Sequence, residues 1–354
     1  MTGKKILIAP LDWGLGHATR CIPIIKHLLE QGNEIILAGE GPIVALVKRE
    51  FPTLITIQLR GYGIGYTKNH QFFFFSMLMQ VPKIIRAIIH EHYWLSKQLK
   101  KNRIDLVISD NRYGLHSKKV RSILITHQLG IISGKGDRVD SLLQKLLYKQ
   151  INKFHTCWIP DNEGVDNICG TLSTPTIKPL RYRYIGLLSR LENKTPGNDR
   201  YILVMLSGPE PQRSILEKIL VDQLNEIQQK TIFVRGLPSS NMLVSTKYIE
   251  IHNHLNKEQL SKAMSEASVV ICRSGYSSIM DLIKLKKKAI LIPTPGQTEQ
   301  IHLGIQMQKK GSCVLQFQDA VDLKKGLLEC NKLLDFQGNM NFNGFEKAIE
   351  DLGI

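Results

Sequence analysis

The chain has 354 residues, 43% of them hydrophobic and 22% charged, which excludes a disordered, fibrous or membrane-embedded protein and leaves a folded one long enough for two domains. A formal net charge of +16 asks for a partner: nucleic acid, an anionic membrane surface or an anionic substrate. No nucleic-acid motif of familiar spacing and no basic tract interleaved with aromatics is found, so nucleic acid is not expected.

Cys21, Cys157, Cys169, Cys272, Cys313 and Cys330 are scattered without CxxC pairing, and Met1 to Lys5 leads at once into a strand-like run. Both features read as reduced thiols in a cytoplasmic protein without a targeting segment.

A buried strand is predicted over Lys5 to Pro10. It feeds Gly14-Leu15-Gly16-His17 and a helix with Ile22, Ile25, Leu28 and Leu29 on one face, ended by Gly32. Glu34 to Gly39 supplies the next strand. Strand, glycine loop, helix, strand is the start of a Rossmann-like domain, although a lone Gly-x-Gly is a weak signal. His17 in the loop has an intrinsic pKa near neutrality, so three roles stand open: base toward an attacking hydroxyl, donor to a phosphate, or helix cap.

Leu54 to Leu59 alternates as a strand, and Gly61 to Tyr66 is a flexible aromatic stretch suited to an acceptor groove. Phe72 to Met79 is an apolar block, followed by a helix opened by Pro82 with Ile84, Ile85, Ile88, Ile89 and Leu95. The block is too short to span a bilayer, which needs ~20 apolar residues. Packing on the sheet is one reading. The other lays the segment among lipid headgroups, where Lys83, Arg86, Lys97, Lys100, Lys101 and Arg103 meet anionic lipid.

Strands are predicted over Asp105 to Ser109, Ser122 to Thr126 and Thr156 to Pro160. Ligands of open parallel sheets collect beyond the carboxyl ends of strands. His17, Asp110 and His127 all stand at such ends, which makes Asp110 a candidate orienting partner of His17. Thr174 to Pro179 and Asn193 to Asp199 are proline-rich and polar, marking a boundary region. From Tyr201 the pattern restarts: a strand to Leu206, the Ser207-Gly208-Pro209 loop and a helix from about Gln212 to Gln229. Strands at Thr231 to Val234 and Tyr248 to Ile251 and a helix over Lys257 to Ala267 come next. Beyond Gln300 a helix to Lys310, a strand over Cys313 to Gln316 and a helix over Ala320 to Leu334 are expected.

Val269 to Gln300 is the most informative stretch. Apolar Val269-Val270-Ile271-Cys272, the turn Arg273-Ser274-Gly275, a helix carrying Asp281, the strand Ala289 to Pro293 and then Glu299-Gln300 form a β-α-β unit. The turn at Gly275 offers helix N-terminal amides to a phosphate. Ser277 is a candidate N-cap, and Asp281 follows four residues on along the same face, placed to accept from ribose hydroxyls. The bland alternative is that Gly275 and Ser277 only cap the helix. Arg273 either offsets diphosphate charge or pairs structurally.

The run from Cys272 through Asp281-Leu282, with Ile292-Pro293 and Gln300, resembles the donor-binding half of family 28 glycosyltransferases. Gly14 to His17 resembles that family's N-terminal glycine loop with histidine. Two departures stand out: Asp281 replaces a glutamate, and Ile301 replaces a second glutamine. The resemblance implies an α/β protein of GT-B type, two Rossmann-like domains facing across a cleft. Boundaries are expected at 1–185 (acceptor), 186–335 (donor) and 336–354, a tail returning to the first domain. It further implies inverting transfer of a hexosyl or N-acetylhexosaminyl group from a UDP-sugar to an acceptor hydroxyl, with no metal and no cofactor. A lipid-linked acceptor and a peripheral place on the inner membrane face fit the charge. His17 and Asp110 are the catalytic candidates. Gly14, Gly16, Ser207, Gly208, Leu255, Arg273, Ser274, Gly275, Tyr276, Ser277, Ser278, Asp281, Glu299 and Gln300 are the donor-binding ones. A non-hydrolysing UDP-sugar 2-epimerase shares the architecture but needs further acids, and a catalytically dead adaptor on membrane or nucleic acid is the alternative of another class.

Overall fold

The computed structural model describes residues 3–63, 73–134, 136–192, 200–237, 244–333 and 340–353. Ile64, Gly65 and Tyr66 of the expected acceptor groove and the boundary stretch 193–199 lie outside the described residues, as do the side chains of 73–78. The elements sort into two units: Met1–Gly65, Phe72–Ser189 and Met340–Ile354 in the first, Arg190–Asn339 in the second.

Unit one holds strands β1 (Lys5–Pro10), β2 (Glu34–Gly39), β3 (Ile55–Gln58), β4 (Leu106–Asp110), β5 (Arg121–Ile125), β6 (Thr156–Ile159) and β7 (Tyr182–Tyr184). They pair in the order β3-β2-β1-β4-β5-β6-β7, each pair parallel. Helices α1 (Leu15–Glu30), α2 (Gly41–Glu50), α3 (Phe73–Asn102) and α4 (Asp137–Ile151) connect them. Parallel strands covered on both faces need unbroken apolar runs, and Ile6 to Ala9 are completely buried.

Unit two repeats the plan. Strands β8 (Tyr201–Met205), β9 (Thr231–Val234), β10 (Ile249–His252), β11 (Ala267–Cys272), β12 (Ala289–Leu291) and β13 (Cys313–Leu315) pair as β10-β9-β8-β11-β12-β13. Helices α5 (Gln212–Ile227), α6 (Lys257–Glu266), α7 (Tyr276–Lys284), α8 (Thr298–Lys309) and α9 (Leu323–Asn331) surround the sheet. The core joins α5 and α9 side chains such as Leu216, Leu220 and Leu323 to Val204, Phe233 and Ile271 of the strands. A last helix, α10 (Gly344–Glu350), belongs to unit one, where the Phe345 ring meets His27 edge-on at 5.6 Å and Leu187 N donates to Asn341 O at 2.7 Å.

Each sheet reverses its strand order once, between β1 and β4 and between β8 and β11. Such reversals open a crevice at the carboxyl ends of the two strands, the usual ligand position of doubly wound sheets.

Three local expectations need correction. Helix α3 begins at Phe73, with Pro82 inside it and exposed. A proline within a helix removes one backbone donor, and the following turns carry on past it. Residue His17 lies in the first turn of α1 and not in a loop, because α1 starts at Leu15. Ser277 is likewise inside α7: the N-cap is Gly275, whose extended backbone (φ −75°, ψ 144°) ends β11's excursion before the first helical residue.

Candidate active site

Pro10 and Asp110 are register partners at the ends of β1 and β4. Beyond Pro10 the chain turns through Gly14, whose φ of 131° suits glycine, and enters α1. One face of the helix's first turns then points back at Asp110. The His17 Nδ1 atom lies 2.9 Å from Asp110 Oδ1, and Arg20, three residues on, donates through Nε and Nη2 to the two carboxylate oxygens. Arg20 Nη1 also lies 3.2 Å from His127 Nδ1, beyond β5. Three strand ends thus converge on one buried carboxylate.

Electrostatics follow from this packing. Burial by itself would raise the Asp110 carboxyl, but the Arg20 guanidinium and His17 outweigh it and hold the group well below the ordinary carboxylate range. Burial lowers His17 first; Asp110 pulls it back up and the Arg20 charge presses it down again, leaving the imidazole below its usual value. Nδ1 has an acceptor on one side and the Arg20 donor 2.9 Å away on the other. The ionised Asp110 carboxylate can only accept, so Nδ1 carries the imidazole proton and donates it to Asp110 Oδ1. Nε2 then carries the lone pair, the state a general base requires.

Arg20 is the residue that sequence reasoning missed as part of this site. Its spacing of three from His17 on a helix was the available signal. Asn111, next to Asp110, is a second: φ is 54°, and its buried Oδ1 has no hydrogen-bond partner among the described residues. A strained residue with an unsatisfied polar atom beside a reactive pair is the usual mark of function. The loop after β4 is fixed from below by Arg112, which donates to Glu91 Oε1 at 2.9 Å and to the carbonyls of Pro10 and Arg60 at 2.9 and 3.0 Å.

In unit two the loops after β8 and β11 meet across the strand reversal, since Met205 and Cys272 are register partners. Ser207 and Gly208 are exposed, and α5 starts just beyond them at Gln212. The N-cap residues of α5 and α7, Pro211 and Gly275, make no side-chain cap, and in the first turn of α5 Glu210 Oε2 accepts from Ser214 N at 3.2 Å. Two helix dipoles with positive ends at one sheet edge favour an anion. On α7, Ser277, Ser278 and Asp281 are half-buried, with Asp281 four residues after Ser277 and three after Ser278. Burial pushes the Cys272 thiol up to about 12, and the Asp281 carboxylate adds to the rise.

Other predicted donor residues hold distinct positions. Ser274 Oγ donates to Gln300 O at 2.7 Å. Arg273 is 1% exposed and donates to the carbonyls of Ile292, Pro293 and Gln212 and to Gln318 Oε1, so its guanidinium joins loops together in the structural role. Gln300 Oε1 accepts from Thr294 N at 2.8 Å and its Nε2 donates to Gln297 Oε1. Glu299 is half-buried in the first turn of α8. Leu255 is buried just ahead of α6, whose start is closed by an Asn256–Gln259 capping box. Gly16 lies in the first turn of α1.

Residues 238–352 match the model of the glycosyltransferase family 28 C-terminal domain. Over its whole length the chain is similar to a Clostridium tetani protein described as UDP-N-acetylglucosamine--N-acetylmuramyl-(pentapeptide) pyrophosphoryl-undecaprenol N-acetylglucosamine transferase. Identity is 22%, over 99% of this chain and 96% of the relative. Among solved structures it is similar to the glycotransferase of kitacinnamycin, with a TM-score of 0.66, 13% identity and coverage of 94% and 91%. The MurG of Acinetobacter baumannii matches with a TM-score of 0.59 and 11% identity over 99% of both chains. These neighbours establish the fold as GT-B, two Rossmann-like domains.

Proposed function

We propose that this protein is an inverting, metal-independent glycosyltransferase that moves an N-acetylglucosaminyl or related hexosyl group from a UDP-sugar to the hydroxyl of a lipid-linked sugar. The observation that carries the reading is the convergence of the α5 and α7 N-termini at the β8/β11 reversal, with Asp281 one turn deeper; β11 and α7 fall within the stretch that matches the family 28 model. The amides at Gly275 to Ser278 and at Ser207-Gly208 hold the diphosphate, and Asp281 accepts from the ribose. Glu299 serves the sugar hydroxyls and the backbone at Leu255 the base, while Gln300, whose side chain is bonded to Thr294 N and Gln297, holds the loop in place.

Transfer deprotonates the acceptor oxygen, forms its bond to the anomeric carbon and releases UDP. His17 takes that proton at Nε2, Asp110 steadies the imidazolium through Nδ1, and Arg20 keeps Asp110 ionised. Fixed positive dipoles at the leaving diphosphate supply the larger part of the acceleration, with base catalysis adding about 10²–10⁴-fold. The UDP-sugar 2-epimerase alternative has no support in this geometry, because the acid by the imidazole, Asp110, is buried and held by Arg20.

A lipid-linked acceptor accords with the surface of unit one. On α3, Val81, Ile85, Ile89 and Tyr93 are exposed at four-residue spacing, with Lys83 and Arg86 between them. On α4, Val139, Leu142 and Leu146 are exposed as well. Among the described residues no helix is long and apolar enough to cross a membrane. Apolar faces flanked by lysine and arginine, on a chain of net charge +16, fit peripheral attachment to anionic lipid at the inner face of the membrane.

The deciding experiment is a thermal-shift panel of nucleotide sugars, since a ligand of the folded state raises the melting temperature by mass action. UDP-N-acetylglucosamine and UDP should stabilise the protein. No shift with any UDP compound at millimolar concentration refutes the reading.

A further inference from the structure

Thr294, just past β12, is 2% exposed, and its hydroxyl has no hydrogen-bond partner among the described residues. Burying an unpaired hydroxyl opposes folding, so a reason for keeping it is needed. The backbone on either side is firmly held. Arg273 Nη1 donates to Ile292 O at 3.2 Å and to Pro293 O at 3.1 Å, Thr294 N donates to Gln300 Oε1 at 2.8 Å, and Thr294 O accepts from Gln297 N at 3.1 Å. The hydroxyl therefore sits on a rigid support.

What faces it is Gly208. A Cβ added there would stand 3.4 Å from Thr294 Oγ1, and the glycine's φ of +104° disfavours any side chain. Gly208 is itself exposed, in the loop that follows β8. A pre-set hydroxyl, a bare glycine over it, two helix N-termini alongside and the Arg273 cation behind make an environment for anionic oxygen.

We propose that Thr294 is a donor-binding residue whose Oγ donates a hydrogen bond to the diphosphate of the UDP-sugar, with Gly208 kept free of a side chain so that a phosphate oxygen can approach it. The inference rests on the UDP-sugar reading above and adds a residue to it. It also gives Arg273 and Gln300 a positioning role, since both fix the Thr294 backbone.

Ligand-observed NMR titrations of UDP and of uridine, against wild type, Thr294→Val, Thr294→Ser and Gly208→Ala, test it. Thr294→Val should weaken UDP about tenfold or more, the loss of one hydrogen bond to a charged group, and leave uridine unchanged. Thr294→Ser should bind UDP within about twofold of wild type, and Gly208→Ala should weaken UDP and not uridine. Valine is close in shape and has no hydroxyl to satisfy, so Thr294→Val should melt at or above the wild-type temperature. The proposal is overturned if Thr294→Val binds UDP like wild type, or if it loses UDP and uridine alike, or melts lower. Failure of wild type to bind UDP or a UDP-sugar would overturn the donor reading and this proposal with it. Binding by wild type that is indifferent to Thr294→Val removes the proposal alone.

Discussion

Arg20 grips Asp110 with two of its nitrogens, Nε on one carboxylate oxygen and Nη2 on the other, across 90 positions of sequence. The pair is buried, with Arg20 2% exposed and Asp110 completely enclosed. It leaves His17 beside an acid that stays ionised. Asp110→Asn keeps the shape, removes the charge and turns the Nδ1 partner ambiguous. Steady-state kinetics should show turnover falling by about 10²-fold or more while the KM for the UDP-sugar changes little. Equal turnover in the variant would take Asp110 out of the mechanism.

The acid side of the pH profile should report His17. A base works only when neutral, so activity rises with pH as His17 deprotonates. Burial and then Arg20 press its pKa down against the pull of Asp110, which puts the midpoint of kcat/KM below the ordinary histidine value of about 6.5. Replacing Arg20 by Met takes away a cation and should move that midpoint upward. Stability has the same sign: an unfolded His17 binds its proton at higher pH than the folded one, so acidification below about 6.5 destabilises the fold. For Asp110, whose folded pKa is depressed, the stabilisation is present above the unfolded value of about 4 and is lost as the pH falls further. An unchanged midpoint in Arg20→Met would contradict the assignment of His17.

Much of the strand layout was legible because parallel sheets write themselves as short apolar runs broken by turn residues. β1, β4, β8 and β11 and the turns beyond them were readable, and with them His17, Asp110, Ser207 and Gly275. Arg20 was not, since its meaning depends on the pairing of β1 with β4, which places Asp110 under α1. Thr294 and the inward bonds of Gln300 were equally hidden, because loop hydrogen bonds have no periodic pattern. Helix α4 went unassigned although Leu142, Leu143, Leu146 and Leu147 recur at helical spacing; half of that apolar set is exposed, which blurs the boundary between core face and surface.

Asp281 is tested by the sugar of the nucleotide. A carboxylate that accepts from ribose hydroxyls discriminates against a ligand lacking one of them. Wild type should therefore hold UDP about tenfold tighter than 2′-deoxy-UDP in calorimetry, and Asp281→Ala should bind the two alike. Undiminished UDP affinity in Asp281→Ala would refute the ribose contact.

Arg273 makes a different prediction, because its work is structural. Four acceptors in three loops receive its guanidinium, and burial lowers its pKa to about 10. Lysine has one nitrogen and no planar fork, so Arg273→Lys cannot serve all of them. Arg273→Met leaves the carbonyls unpaired and should cost about 3 kcal/mol in denaturant unfolding, a typical loss for a broken buried network. UDP affinity should fall with it, through the displaced Pro293–Thr294 backbone. A variant as stable as wild type would show that those four bonds contribute nothing.

The exposed apolar row on α3 predicts where the protein touches lipid. Ile85 and Ile89 are each 51% exposed, one turn apart, and Lys83 and Arg86 flank them. Burying such a side chain in the headgroup boundary contributes about 1.5–3 kcal/mol, and each nearby lysine or arginine adds about 1 kcal/mol on an anionic leaflet. Wild type should sediment with phosphatidylglycerol vesicles and less with phosphatidylcholine. Ile85→Glu with Ile89→Glu should lower that partitioning by about a hundredfold or more, by the same arithmetic, since two carboxylates replace two inserted side chains on a surface that needs no refolding. Raised salt should weaken the wild type only in part, because screening removes the charge attraction and leaves the apolar insertion. UDP binding, which the proposal assigns to unit two, should be untouched by the double variant. If that variant sediments like wild type, or if wild type ignores anionic vesicles, the acceptor does not come from a membrane met by this face.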